Sequence, residues 1–236
     1  MRTSGAGYVA LFAFIFGVLF VDGLGGDRVV QAVLGAATLG LLCLVLRASP
    51  AGERRETWIC VAFSTIVEVL CTQLWGLYTY RLGNVPLYVP PGHGLIFVCS
   101  LQAARTPFVQ THRRAIVTIA IVVATALGAW GVFAHGEHRD LHGAIYWPFF
   151  VAFLLRSKKA PVWALTFAVT AFIEAVGVRY GTWHWSAVVP GLRLPSADPP
   201  SLIAGGYCAF AVVATWLGGL RVERVTADVH EKMFME

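Results

Sequence analysis

The sequence has few charged residues for its length. Asp, Glu, Lys and Arg make up 13% of its 236 residues, against about 25% in an average soluble domain. So little charge cannot cover the surface of a globule in water, and 57% of the residues are apolar. The composition therefore excludes an ordinary soluble protein and predicts that much of the surface faces lipid.

Sequence patterns that are typical of nucleotide, metal and disulfide sites are also missing. There is no P-loop, no G-x-S-x-G, no G-x-G-x-x-G and no C-x-x-C pair. There is no Asp-x-x-x-Asp pair or Asp-rich run that could hold the magnesium ions of a diphosphate. We therefore expect no cofactor and no metal, and we disfavour a reaction that begins with the ionisation of a diphosphate.

The positive charge of the chain is better explained by membrane topology than by nucleic-acid binding. The net charge is +5, but Lys and Arg lie in short loops between apolar runs. With both termini inside, the inner segments carry 13 of these residues and the outer segments carry 5. This asymmetry predicts an N-in, C-in integral membrane protein, which we expect in a bacterial cytoplasmic membrane.

Eight apolar runs predict an all-α fold with about eight transmembrane helices. Five runs are long enough to cross about 30 Å of hydrocarbon, and three are shorter. The first run resembles a signal peptide but is long for one, so we interpret it as a span. The long runs lie at roughly 7–24, 29–46, 57–77, 115–134 and 161–178, and the shorter ones at about 92–104, 142–155 and 202–220.

A pattern repeated in the two halves of the chain predicts an internal duplication. In each half a Glu is followed by Gly-x-aromatic-x-aromatic and then, after a loop, by Pro-Pro. We therefore expect two four-helix repeats, 1–110 and 111–236, in parallel orientation. The matching residues are Glu68, Gly76, Tyr78, Tyr80, Pro90 and Pro91 in the first copy, and Glu174, Gly181, Trp183, Trp185, Pro199 and Pro200 in the second.

The two glutamates are the strongest candidates for catalytic groups. Glu68 and Glu174 fall near the middle of predicted spans, where a carboxylate costs about 2.5–3.5 kcal/mol. Such a group normally faces the bundle interior and is neutral, paired or functional. The alternative is a structural role, in which each Glu makes interhelical hydrogen bonds.

Aromatic and polar residues near the two acids are candidates for substrate contacts. If the chain is extended there, the two aromatic residues of each pair point to one side, where their rings could stabilise a carbocation. The alternative is an aromatic belt at the membrane surface. The candidate substrate-binding residues are Trp75, Tyr78, Tyr80, His93, Arg179, Trp183, His184, Trp185 and Asp198.

One group of histidines has a spacing that a metal could use. His135, His138 and His142 would share one face of a helix. No second cluster supports a metal site, and loop histidines are ordinary at a membrane surface. We predict no metal here.

The residues around the two acids resemble those of two carotenoid-biosynthesis families. The first stretch, through Pro86 and Pro90, resembles membrane proteins of the bacterioruberin hydratase type. The second, with Arg179 and Gly181, is similar to duplicated integral-membrane lycopene cyclases, and small membrane terpene cyclases are a weaker analogy. The hydratase run Gly-Phe-Pro-Phe-Gly and the cyclase motif Pro-Ile-Glu-Glu are absent from this chain.

The resemblance implies an enzyme that acts on an isoprenoid lipid by cyclisation or hydration through a carbocation. One Glu would protonate an alkene and the other would remove a proton or activate water. The alternative is a transporter or lipid-binding protein with a midplane cavity, and a structural subunit is a third option. The substrate would be a hydrophobic isoprenoid or lipid and not nucleic acid, and the sequence leaves the oligomeric state open.

Overall fold

The computed structural model describes residues 5–210 and 212–218, and most of these residues are helical. The predicted run at 202–220 extends beyond the described residues. Four residues of the charge count lie outside them: Arg2, Arg221, Arg224 and Lys232. In chain order the elements are α1 (Gly5–Gly23), α2 (Arg28–Arg47), α3 (Ala51–Val69), β1 (Tyr78–Tyr80), α4 (Val89–Ala104), α5 (Pro107–Thr111), α6 (Arg113–Phe133), α7 (Leu141–Arg156), α8 (Ala160–Arg179), β2 (Trp183–Trp185) and α9 (Ile203–Gly218).

Five helices are long and apolar enough to cross a membrane. They are Ala6–Gly23, Arg28–Arg47, Ala51–Trp75, Arg113–Phe133 and Ala160–Arg179. Large apolar side chains are exposed along them, among them Leu74 and Phe133, as expected where lipid replaces water. These features agree with the predicted membrane protein. Helices also form at the three shorter runs, but the eight spans, the N-in, C-in orientation and the repeat boundary stay predictions.

Two helices form the centre of the bundle. Over its 18-residue window α8 is 56% buried, whereas the other four spans are 22–28% buried. Its neighbour α4 has 16 residues and is buried on almost every side, and at 1.5 Å per residue it is about 24 Å long. The two central helices pack against each other and against α1.

A short antiparallel sheet joins the two halves of the chain, a feature that the all-α prediction missed. Strand β1 pairs with β2 so that Tyr78 faces Trp185 and Tyr80 faces Trp183. Three-residue strands are too short to give a clear periodic pattern in a sequence. Their partners are also about 100 positions apart, and this pairing could not be predicted from local sequence.

Each strand follows a long helix through a glycine with positive φ. The α3 helix continues as wider π turns over Leu70–Trp75 and ends at Gly76, with φ 70°. The α8 helix ends before Gly181, with φ 67°. Glycine adopts this left-handed conformation without steric cost, so both helices turn into an extended segment about two helical turns after a buried Glu.

Candidate functional site

The two glutamates line one cavity inside the bundle. The cavity has a volume of about 80 Å³, which is room for several waters at roughly 10–15 Å³ each. Glu68 and Glu174 are 1% and 3% exposed. One wall is wholly apolar and comes from α1, with Phe14, Ile15, Val18 and Leu19.

Glu68 accepts two hydrogen bonds from the tyrosines of β1. The hydroxyls of Tyr78 and Tyr80 donate to its Oε2 over 2.5 and 2.7 Å. The other carboxyl oxygen, Oε1, lies 3.5 Å from Nε2 of His93. One oxygen is therefore held by two donors, while the other faces the imidazole.

Glu174 is held in a matching way by the tryptophans of β2. The indole N–H groups of Trp183 and Trp185 donate to its Oε2 over 3.1 and 3.0 Å. Tyr207 on α9 also hydrogen-bonds to this carboxyl group. Every donor is neutral, and no Lys or Arg among the described residues forms an ion pair with either acid of the cavity.

The strand geometry explains why all four aromatic side chains reach the acids. Successive side chains in a strand point to opposite faces, so the outer residues of each strand are buried and the middle one is exposed. Across the pair, the rings of Tyr78 and Trp185 lie 4.3 Å apart, and those of Tyr80 and Trp183 lie 5.9 Å apart. The prediction that each pair points to one side is confirmed.

The phenols of β1 are hydrogen-bond donors at neutral pH. Burial raises the pKa of Tyr78 and of Tyr80 well above the ordinary tyrosine value, and the adjacent Glu68 carboxyl group raises both further. The protonated hydroxyls can therefore stabilise negative charge on Glu68.

His93 lies at the start of α4 with a fixed tautomer. Its Nδ1 is 3.1 Å from the carbonyl oxygen of Val89, an atom that can only accept. Nδ1 must therefore carry a proton, and a neutral ring leaves a lone pair on Nε2, the nitrogen nearest Glu68. The ring also stacks on Tyr207, with centroids 5.4 Å apart and planes inclined by 20°.

Six residues that the sequence analysis assigned to substrate contacts do not line the cavity; Tyr78 and Trp185 hydrogen-bond to the acids, and the other four lie elsewhere. Trp75, 45% exposed, points outward from the π turns and donates to the carbonyl oxygen of Pro190 over 2.9 Å. Arg179 is exposed in the last turn of α8. His184, the middle residue of β2, pairs at the surface with Asp198 over 2.8 Å. Asp198 also accepts a bond from the Trp185 backbone N–H over 3.0 Å, so it supports β2 from outside.

The sequence analysis missed a buried polar cluster beside the cavity. Asp22, at the end of α1 and 0% exposed, accepts from Gln31 over 3.1 Å, from Arg81 over 2.7 Å and from Tyr88 over 2.7 Å. Tyr88 also lines the cavity, so the cluster fixes one wall. An acid at the end of an apolar run is an available signal, since it must find partners inside the protein.

Tyr207 is the other site residue that the sequence analysis missed. It lines the cavity from α9 and contacts both His93 and Glu174. A tyrosine in an apolar run carries no charge and matches no motif, so nothing in the sequence distinguishes it.

The three histidines whose spacing a metal could use do not come together. His135 and His138 are exposed around a short 3₁₀ turn, while His142 is buried and lies 2.9 Å from Ser196 Oγ. Within residues 5–210 and 212–218, no three His, Cys, Asp or Glu side chains form a group that could hold a metal ion.

The arrangement can both give and take protons in an apolar space. Two carboxyl groups face the same cavity, each is held by aromatic donors, and an imidazole stands beside one of them. No protein-family model, curated protein or solved structure matches this chain.

Proposed function

We propose that the protein is a membrane-embedded acid–base enzyme that cyclises or hydrates an isoprenoid lipid through a carbocation. The observation that carries the proposal is the meeting of Glu68 and Glu174 in one apolar cavity. A structural role would need each acid only to pair with its own helix neighbours. It gives no reason for both acids to border the same empty space.

In the proposed reaction one carboxylic acid protonates a terminal alkene of the substrate. The proton bonds to the less substituted carbon and leaves a tertiary cation. In cyclisation a second double bond attacks the cation, and the other Glu then removes a proton, so the product is an isomer. In hydration water attacks the cation and the other Glu takes a proton from that water.

The aromatic side chains would lower the energy of the cation. An aromatic face near a cation contributes about 0.5–2 kcal/mol, and the larger values apply away from water. Tyr80 and Trp183 line the cavity beside the acids. A volume of about 80 Å³ suits the branched end of a chain rather than a whole long isoprenoid, which supports reaction at a terminal double bond.

The eight-span, duplicated and N-in, C-in organisation is part of the same proposal, in a bacterial cytoplasmic membrane. An order of three helices, a strand and a further helix occurs once in α1–α4 and again in α6–α9, which supports two parallel four-helix repeats. Reporter fusions in the loops test it. The loop between α2 and α3 is expected to face the cytoplasm, as is the loop between α7 and α8.

The test is product formation in a lycopene-producing bacterial host. Lipid extracts from cells with the wild-type chain should contain a new product, either isomeric with an acyclic isoprenoid or heavier by one water. Glu68→Gln and Glu174→Gln should abolish it. Glu56→Gln is the matched control, because Glu56 lies away from the cavity, 3.8 Å from Lys159.

The outcomes separate enzyme from transporter. If both cavity variants form as much product as the wild type, the mechanism is wrong. If no new product forms but purified protein retains an unmodified isoprenoid, a binding or transport protein is favoured. Proton-dependent uptake into vesicles then measures transport directly.

A further inference from the structure

The two acids of the cavity have chemically different donors. Glu68 is held by two phenol O–H groups over 2.5 and 2.7 Å. Glu174 is held by the indole N–H groups of the β2 pair over 3.1 and 3.0 Å, and the phenol of Tyr207 also bonds to it. The first pair has the length of charge-assisted O–H···O⁻ bonds, about 2.5–2.7 Å, and the second has the length of ordinary neutral bonds.

The acidity of the donors also distinguishes Glu68 from Glu174. A phenol loses its proton near pH 10, whereas an indole is a far weaker acid and only donates. Stronger donors stabilise a carboxylate more. Two phenols on one oxygen therefore favour an ionised Glu68, whereas Glu174 has one phenol, that of Tyr207, and two weaker indole donors.

The distance between Glu68 and His93 also supports an ionised Glu68. Nε2 of a neutral His93 carries a lone pair, because Nδ1 donates to Val89. Its 3.5 Å distance from Oε1 of Glu68 is too long for a good hydrogen bond. Two acceptors with no proton between them are expected to stay apart in this way.

We propose that Glu174 holds the proton in the resting protein and is the acid, and that Glu68 is the carboxylate and acts as the base. The catalytic part of this assignment rests on the proposed function. Glu174 gives one proton to the substrate, and Glu68 takes one from the cation or from water, so charge and atoms balance. A proton on Oε1 of Glu68 can then be donated to Nε2 of His93.

Return of the proton to Glu174 completes the cycle. Tyr207 contacts both residues, with its hydroxyl bonded to Glu174 and its ring stacked on His93. The different residues of the two strands, Tyr-x-Tyr and Trp-x-Trp, then have a chemical meaning. They make one acid of the pair easy to ionise and keep the other neutral.

Infrared difference spectra of the purified protein at neutral pH test the assignment without any substrate. The C=O stretch of a buried protonated carboxyl group should disappear in Glu174→Gln and persist in Glu68→Gln and in the control Glu56→Gln. Loss of the band in Glu68→Gln, or its persistence in Glu174→Gln, overturns the assignment.

Variants of the donors provide a second test if either glutamine variant fails to fold. Replacing both Tyr78 and Tyr80 with Phe should add a second protonated-carboxyl band, because Glu68 loses the donors that stabilise its charge. Replacing Trp183 and Trp185 with Phe should leave the single band. The absence of a new band in the tyrosine variant contradicts the assignment.

The His93 step has its own readout. His93→Phe should slow product formation at least tenfold while the Glu174 band stays unchanged. An unchanged rate removes His93 from the proton path. The infrared spectra need no turnover. If no product forms in the host, the proposed enzymatic function is refuted, and the spectra still decide which acid is protonated.

Discussion

Replacing Gly177 with alanine tests the packing that brings Trp183 to Glu174. Gly177 lies inside α8, and a Cβ atom built there would be 2.0, 2.2 and 2.5 Å from three atoms of the six-membered ring of Trp183. Real Cβ atoms do not approach other atoms so closely. The indole would have to move, and its N–H would leave the carboxyl group.

The expected cost follows from three contributions. Overpacking costs about 1–3 kcal/mol, and the lost hydrogen bond costs about 0.5–1.5 kcal/mol. The better helix propensity of alanine offsets about 1 kcal/mol. We expect the free energy of unfolding to fall by about 0.5–3.5 kcal/mol, and the melting temperature in detergent by about 2–4 °C for each kcal/mol.

The matched control is Gly40→Ala. Gly40 is exposed inside α2, and a Cβ there meets nothing within 4 Å, so this variant should melt at or slightly above the wild-type temperature. Trp183→Phe removes the clashing ring atoms. We therefore expect Trp183→Phe to lower the free energy of unfolding less in the Gly177→Ala background than in the wild type. Equal melting of the Gly177 and Gly40 variants would refute the reasoning.

Three further predictions concern carboxylates outside the cavity, each checked by thermal unfolding in detergent. Asp22→Asn leaves the Arg81 guanidinium beside an amide and should cost about 3–5 kcal/mol, as for a broken buried ion pair; a change below about 1 kcal/mol would contradict this. Asp140→Ala removes an N-cap that accepts from Gly143 over 2.8 Å and also holds Ser201, and should cost about 1–2 kcal/mol; wild-type stability would show that the cap is dispensable. Asp198→Ala should destabilise by about 1 kcal/mol through the lost bond to β2, whereas His184→Ala should cost less than about 0.5 kcal/mol because the pair is exposed; the reverse order would be inconsistent with the bracing role.

The helices could be predicted because a span needs a run of apolar residues and ends where Gly, Pro or charge begins. Within the residues that the structure describes, each of the eight apolar runs overlaps a helix. Boundaries are less visible: α3 begins six residues before the predicted run, since Ala51–Glu56 is polar and helical beyond the apolar stretch.

The site was only partly visible in the sequence. Local spacing could place the aromatic pairs on one side of each strand, because alternation is a local rule. It could not show that Tyr78 would meet Trp185, since that contact depends on how distant segments pack. It also could not show that Trp75 and Arg179 would point away from the cavity, because the direction of a side chain at a helix end depends on the last turn.

The pairing of β1 with β2 also limits which side of the cavity can open. Main-chain bonds tie together the segments after Glu68 and Glu174, so the acids cannot separate without breaking them. Across the cavity, α1 is anchored at one end by the three bonds to Asp22, and near its other end Tyr8 donates one bond to Leu165 over 2.7 Å. Moving the Tyr8 end of α1 would therefore break this one hydrogen bond and leave the main-chain bonds of the sheet, and with them the pairing of the two acids, intact.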